Sequence, residues 1–314
     1  MIWFIGHKSA LEYWRKALVK DALVGKRVYH GKLPNKPPIA KELRFANPWG
    51  LSMPLHILVG SKNARKATGG LECHICSEQL PSGSLILAAP GLAVSSPELC
   101  FLQMANEFSL IKLIMLGFEL CGTYRLDPVN DPERGFRDDQ PLTTVAKLDS
   151  FVDKAIGLKG RTNARRALQY IADNAASPRE TALTLLLTLP YRLGGYGFPL
   201  PLLNCRIDVK TNAKRTANKT RLYCDLYWPD KQVDVEYDSD AYHAKPDRIA
   251  RDAIRRNALI SVGVTVITVS RTQIINTGEL RKVAEVLSKL LGKRLQYPKK
   301  FLLQHALLRK ELFA

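Results

Sequence analysis

The 314-residue chain contains no apolar run near the roughly 20 residues that a membrane-spanning helix needs. Its opening stretch, Met1 to Gly6, is too short for a signal peptide, so the expectation is a cytoplasmic chain with no membrane partner. Acidic residues are scarce. Against 47 Lys and Arg there are 29 Asp and Glu, a formal charge of +18 and a pI near 9.7. So basic a chain repels itself when folded unless a polyanion is its ordinary partner, and nucleic acid is the first candidate. Cysteine is also sparse: six residues, of which only Cys73 and Cys76 are close together, the rest lying among apolar neighbours. That excludes a disulfide framework and predicts reduced thiols. Internal repeats and low-complexity tracts are missing too, which removes solenoid and fibrous classes. What is present is a hydrophobic fraction of 46%, ample for two ordinary domains with packed cores.

The chain divides by texture. Up to residue 125 short extended runs dominate, Leu55 to Val59 and Leu85 to Ala89, separated by the basic loop Ser61 to Gly70. Ser96-Pro97-Glu98 then opens a helix, with a cap, a proline in the first turn and an acid at the positive end of the dipole. The polar stretch Leu126 to Gln140 reads as a loop or linker and marks a domain boundary. Residues 126–176 form a linker and helical bridge, with helices near Thr143 to Ile156 and Arg161 to Asn174.

From Ser177 onward helices and strands alternate. Ser177-Pro178-Arg179-Glu180 is a capping box for an apolar helix that Gly194-Gly195 stops. A strand near Cys205 to Val209, a hairpin of Leu222 to Trp228 with Gln232 to Asp238, a helix Asp247 to Ser261 and a β-branched strand Val264 to Val269 follow. Residues 177–277 are thus one α/β domain, a small mixed sheet flanked by helices, and 278–314 a C-terminal helical tail containing the one-faced helix Glu279 to Leu291.

Strand alternation places Asp234, Glu236 and Asp238 on one face and Val233, Val235 and Tyr237 on the other. Neighbouring carboxylates raise each other's pKa and oppose folding unless a cation or basic groups stand among them. Across the hairpin Asp225 shares its face with Tyr223 and Tyr227 and comes near Glu236, giving two oxygen ligands of the kind that suits Mg2+. An acidic strand balanced by Arg248, Arg251, Arg255 and Arg256 of the next helix accounts for the same residues without a metal.

The ordered series Leu222-Tyr-Cys-Asp225, Val233-Asp-Val-Glu236-Tyr-Asp238, His243, Arg251-Asp252, Arg255-Arg256 and Val264 to Val269 resembles the endonuclease-like domain related to very-short-patch repair enzymes. That domain belongs to the PD-(D/E)xK superfamily, and the likeness covers roughly Ser177 to Gln273. The resemblance implies Mg2+, with Mn2+ as a substitute, held by Asp225, Glu236 and the backbone carbonyl of Tyr237. It further implies hydrolysis of DNA phosphodiesters. Asp238 stands where many members carry a lysine, which leaves His243 as acid or base, a packing role for His243 being the other reading. Glu180 resembles the helix glutamate that some members add to the metal site, although its capping position explains it alone. Arg255 or Arg256 is expected near the site. Lys214, Arg215 and Lys219, in the loop Lys210 to Arg221, track a phosphate backbone or form a solvated loop. The tail pairs Lys293-Arg294 and Lys299-Lys300 read as a solvated face.

The residues from about Gly6 to Gly122 resemble the middle region of AbiEi-type antitoxin-like proteins, without a complete winged helix. The likeness rests on Leu55 to Val59, Lys62, Arg65, Lys66, Cys73-His74 and Gly91 to Pro97 with the helix that follows. The Cys73-x-x-Cys76 pair lacks the second pair of a tetrahedral zinc site, so a structural role is preferred. The fold expected is α/β: an N-terminal mixed domain followed by the nuclease-type domain. The function expected is metal-dependent DNA cleavage, in bacterial defence or a toxin-antitoxin-like setting. A non-cleaving DNA-binding or antitoxin-like regulator and a structural partner of a defence protein are the alternatives.

Overall fold

The computed structural model describes residues 2–17, 28, 32–35, 47, 50–65, 70–127, 129–207, 222–238 and 246–313, the stretch 246–252 as backbone. The described chain is mixed α/β, with ten helices and three small sheets, and none of its helices is long and apolar enough to cross a membrane. It divides into two compact units, 1–171 and 172–314.

In the first unit β1 (Trp3–Ile5) is the middle strand of a five-stranded sheet, with β2 (Leu55–Val59) and β3 (Leu71–Ile75) on one side. On its other side lie β5 (Leu92–Ser95) and then β4 (Leu85–Ala89). All three residues of β1 are buried, as are all five of β2. α1 (His7–Lys16) starts directly after β1, and its buried Trp14 donates its indole N–H to the Ser95 carbonyl at 2.8 Å. The predicted cap at Ser96 is present: its hydroxyl accepts from the Leu99 N–H and opens α2 (Pro97–Met104). α3 (Leu110–Cys121), α4 (Val145–Lys154) and α5 (Arg161–Leu168) complete the unit's helices.

The stretch read as a linker is structured. It holds a hairpin of β6 (Tyr124–Leu126) and β7 (Phe136–Asp138), organised by charge instead of apolar burial, which is why hydropathy did not show it. Arg125 is fully buried and spends its guanidinium on backbone carbonyls, those of Glu119 at 2.6 Å, Gly122 at 3.3 Å, Gln140 at 2.6 Å and Tyr124. Buried Glu119 takes both arms of Arg15, at 2.8 and 2.6 Å. Arg137 bonds Asp127 at 3.0 Å and the Arg15 carbonyl at 2.6 Å.

In the second unit α6 (Pro178–Thr188) precedes β8 (Leu202–Ile207), β9 (Leu222–Trp228) and β10 (Val233–Asp238), then come α7 (Pro246–Ser261) and β11 (Thr265–Ser270). The sheet order is β11-β10-β9-β8; β8, β9 and β10 are antiparallel, and β11 runs parallel to β10. The helix–strand–hairpin–helix–strand order read from the sequence is therefore the order of the fold. α7 packs Leu259 on Leu222, Cys224 and Val264. α8 (Arg271–Ile275) and α9 (Thr277–Leu291) follow, α9 being the predicted one-faced helix that buries Leu280, Val283, Ala284, Leu287 and Leu291.

The C-terminal tail, read as helical, carries α10 (Phe301–Leu312), whose buried His305 donates from Nδ1 to the Gly194 carbonyl at 2.7 Å. Gly194 has φ +91°, and a Cβ there would come within 2.3 Å of the Gln304 carbonyl oxygen, so only glycine lets α10 dock.

Replacing Arg125 by methionine should fill the volume yet leave several buried carbonyls without donors. At roughly 1–3 kcal/mol for each buried group left unpaired, the first unit should lose about 3 kcal/mol or more, read as a lower urea midpoint. An unchanged midpoint would show that the hairpin does not depend on this guanidinium.

Candidate functional site

Four acidic side chains of the second unit gather on the hairpin and the helix before it. Asp225 is on β9, Asp234 and Glu236 are on β10, and Glu180 is the third residue of α6. The antiparallel register pairs Val235 with Leu226, so one step further Glu236 comes opposite Asp225. There Asp225 replaces ladder bonding with a side-chain bond: its Oδ2 accepts the Tyr237 N–H at 2.9 Å. On the other side the register sets Asn204 of β8 beside Asp225. Asn204 has φ +46°, out of the strand conformation, and donates its side-chain amide to Glu180 Oε2 at 2.8 Å. Glu180 also accepts from the Ala176 N–H at 3.0 Å, while Ser177 caps the helix by accepting from the Glu180 N–H at 3.1 Å. Glu180 thus helps to cap α6 and also faces the strand acids.

Glu180, Asp234 and Glu236 are buried, Asp234 0% and Glu236 4% exposed, and Asp225 is half-buried. Burial, and then the charges of Glu236 and Asp225, push the Asp234 carboxyl up to about 8. Neither Asp234 oxygen has a partner in hydrogen-bond geometry, and the Cys224 thiol and Leu226 N–H offset its burial only in part. Burial and the charge of Asp225 likewise hold Glu180 well above the usual carboxylate range. Asp225 is raised by burial, against the opposing pull of the Tyr237 N–H and Arg255. Among the described residues, Arg255 of α7 ion-pairs Glu236 Oε1 at 3.1 Å and donates to the Tyr223 carbonyl at 3.3 Å.

Of the residues singled out from sequence, Asp225, Glu236, Tyr237 and Arg255 are brought together here. Asp238 ends β10 on the strand face of Asp234 and Glu236, half-buried, paired in register with Ser270. Arg256 is half-buried on α7, and no ion pair among the described residues joins it to the acids. His243, Lys214, Arg215 and Lys219 lie outside the described residues, as do the side chains of Arg251 and Asp252. Sequence reading left two participants out. Asp234 was visible through strand alternation but not marked, and Glu180 was absorbed by its capping role.

The described residues hold one set of three ligand-type side chains whose donor atoms lie within 4.8 Å of one another, and it is not on this hairpin: His56, Glu72 and His74 could hold a metal ion in the first unit. The sequence signal at Cys73-x-x-Cys76 was thus near a ligand set but pointed to other atoms. His74 is pushed down to about 3, mainly by burial and then by the neighbouring His7 and His56. Comparison with protein-family profiles, with curated proteins and with solved structures found no match.

A carboxyl whose folded pKa is raised makes the folded state bind more protons than the unfolded one, so stability falls as pH rises between the two values. For Asp234 that window runs from about 4 to about 8. In chelator-treated protein, unfolding free energy should decline across this range, and Asp234→Asn should flatten the decline. Parallel pH profiles for the two proteins would mean that Asp234 is not held protonated by the fold.

Proposed function

We propose that the second unit is a PD-(D/E)xK-type, Mg2+-dependent endonuclease domain acting on DNA. The observation that carries this reading is the gathering of buried Glu180, Asp234 and Glu236 with half-buried Asp225, where Arg255 ion-pairs Glu236 among the described residues. Carboxyl groups that raise one another's pKa in this way would ionise together beside a bound cation, and an all-oxygen donor set fits a hard one. Mg2+ is commonly bound through one or two carboxylates and completed by water and substrate phosphate, so Asp225 and Glu236 with the Tyr237 carbonyl suffice as protein ligands. The ion would polarise the scissile phosphate and supply an activated water at neutral pH.

The protein's own side chains orient that arrangement. The Tyr237 N–H fixes one Asp225 oxygen, and Arg255 neutralises Glu236 from α7. With Glu236 engaged by a metal, Arg255 would be available to a phosphate oxygen, a role that suits its paired N–H donors. With Asp238 at the position of the usual lysine, proton handling falls to His243. The basic loop bearing Lys214, Arg215 and Lys219 carries the backbone contacts, consistent with the net charge of +18.

One observation favours a second reading, a DNA-binding regulator that does not cleave: Arg255 already occupies Glu236, as a salt bridge standing in for a lost metal would. A cleavage time course with Mg2+ or Mn2+, run beside binding, separates the two. For the enzyme, Asp225→Asn and Glu236→Gln should each lower metal-dependent cleavage by about 10²-fold or more while DNA is still bound. Arg255→Ala should reduce the slope of log affinity against log salt by about 0.9, the loss of one phosphate contact. DNA binding without cutting under either metal would leave the regulator as the function.

A further inference from the structure

The first unit carries a ligand set of different chemistry. β2 and β3 are parallel and in register, which sets His56 beside Glu72; His74, two residues on, shares the face of Glu72. The rings of His56 and His74 lie 5.1 Å apart and nearly parallel, with Nδ1 of the first 2.8 Å from Nε2 of the second. Oxygens of Glu72 stand 3.7 Å from Nε2 of His56 and 3.7 Å from Nε2 of His74. We propose that His56, Glu72 and His74 form a binding site for one zinc-class divalent ion, with its remaining coordination position open to solvent or an anionic ligand.

A shared proton explains less of this arrangement. One N–H···N bond would engage one nitrogen of each imidazole but would leave Glu72 beyond hydrogen-bond distance of both rings. One donor atom from each of the three lies within 4.8 Å of the others, a spacing that a single cation can bridge. Two imidazoles with one carboxylate form a zinc ligand set of the open, three-ligand kind, whereas Mg2+ and Ca2+ prefer all-oxygen sites.

The supporting groups are also in place. The His7 ring stacks on His74 at 3.5 Å with 13° between planes, and His7 Nδ1 is bonded to Glu107 at 2.9 Å. Glu107 is held in turn by Lys8 at 3.3 Å. The His56 backbone N–H donates to the Ser9 hydroxyl at 3.0 Å, fixing β2 beneath its ligand. The stack restricts the His74 ring and the Ser9 bond holds the strand that carries His56. His56 is 7% exposed, while Glu72 and His74 line a cavity of about 750 Å³ that also presents Lys62, Arg65 and Lys159. Glu78 and Glu107 line the same cavity, so the open position would face a polar space of mixed charge. Cys73, between Glu72 and His74 in sequence, alternates to the opposite face of β3 and is not part of the set.

The test is zinc titration of the chelator-stripped full-length chain against a chromophoric competitor, with zinc-edge X-ray absorption on the loaded protein. One equivalent should bind through this site. His74→Ala and Glu72→Gln should each weaken that equivalent by about tenfold or more. The absorption data should show nitrogen and oxygen ligands at about 2.0–2.1 Å, and they keep the test decisive should a variant fail to fold. Failure to retain zinc, binding unchanged in both variants, or sulfur ligands at about 2.3 Å would each overturn the assignment.

Discussion

Asp234 and Glu236 are buried side chains of one strand, and half-buried Asp225 lies opposite Glu236, where water screens the acids only weakly. Two unit charges 4 Å apart interact by about 4 kcal/mol at an effective dielectric of about 20, so the hairpin cannot keep every carboxyl ionised without a counter-charge. Protons, Arg255 or an added cation must take up the excess. The local irregularities fit that constraint. The strands stop exchanging ladder bonds where Asp225 turns to the Tyr237 N–H, and Asn204 leaves the strand conformation to serve Glu180.

The first unit handles buried charge in another way. Glu119 is as deeply buried as the hairpin acids, yet Arg15 grips it through two bonds, and the guanidinium of Arg125 is spent on backbone carbonyls. Asp127 has Arg137 and Asn130. This chain therefore does pair acids with arginines where a charge serves only structure. Against that background the unpaired oxygens of Asp234 stand out, because an arginine-rich protein has had no shortage of partners for them. Polar groups left unsatisfied in a native interior call for an explanation beyond stability.

What could be read from sequence was local. Caps at Ser96 and Ser177, the β-branched run before Val269 and the hairpin from Leu222 to Asp238 declare themselves within a few residues, and each became the expected element. The central strand β1 is only three residues long and pairs with partners far along the chain, so no window could reveal it. The β6–β7 hairpin depends on arginines bonded to carbonyls, which hydropathy registers as a loop. For the sites, alternation exposed the acidic face of β10 because its acids are near in sequence, but Glu180 joins from another element. His56 and His74 belong to different parallel strands, and the nearer cysteines offered a more familiar but misplaced zinc signal.

Under the nuclease reading the same electrostatics order the events at the hairpin. A phosphodiester brings another negative charge to acids that already raise one another's pKa, so phosphate alone is opposed at the carboxylates even when basic residues elsewhere attract the duplex. A divalent ion reverses the sign of the local field and is itself completed by phosphate oxygen, making the two ligands mutually dependent. Arg255 is the group positioned to answer that change. While it neutralises Glu236 it is unavailable to substrate; were a cation to take over the carboxylate, the guanidinium would be free for a phosphate. The ion pair that would mark a site without metal is therefore also the resting contact expected of one that fills with metal before, or together with, its substrate.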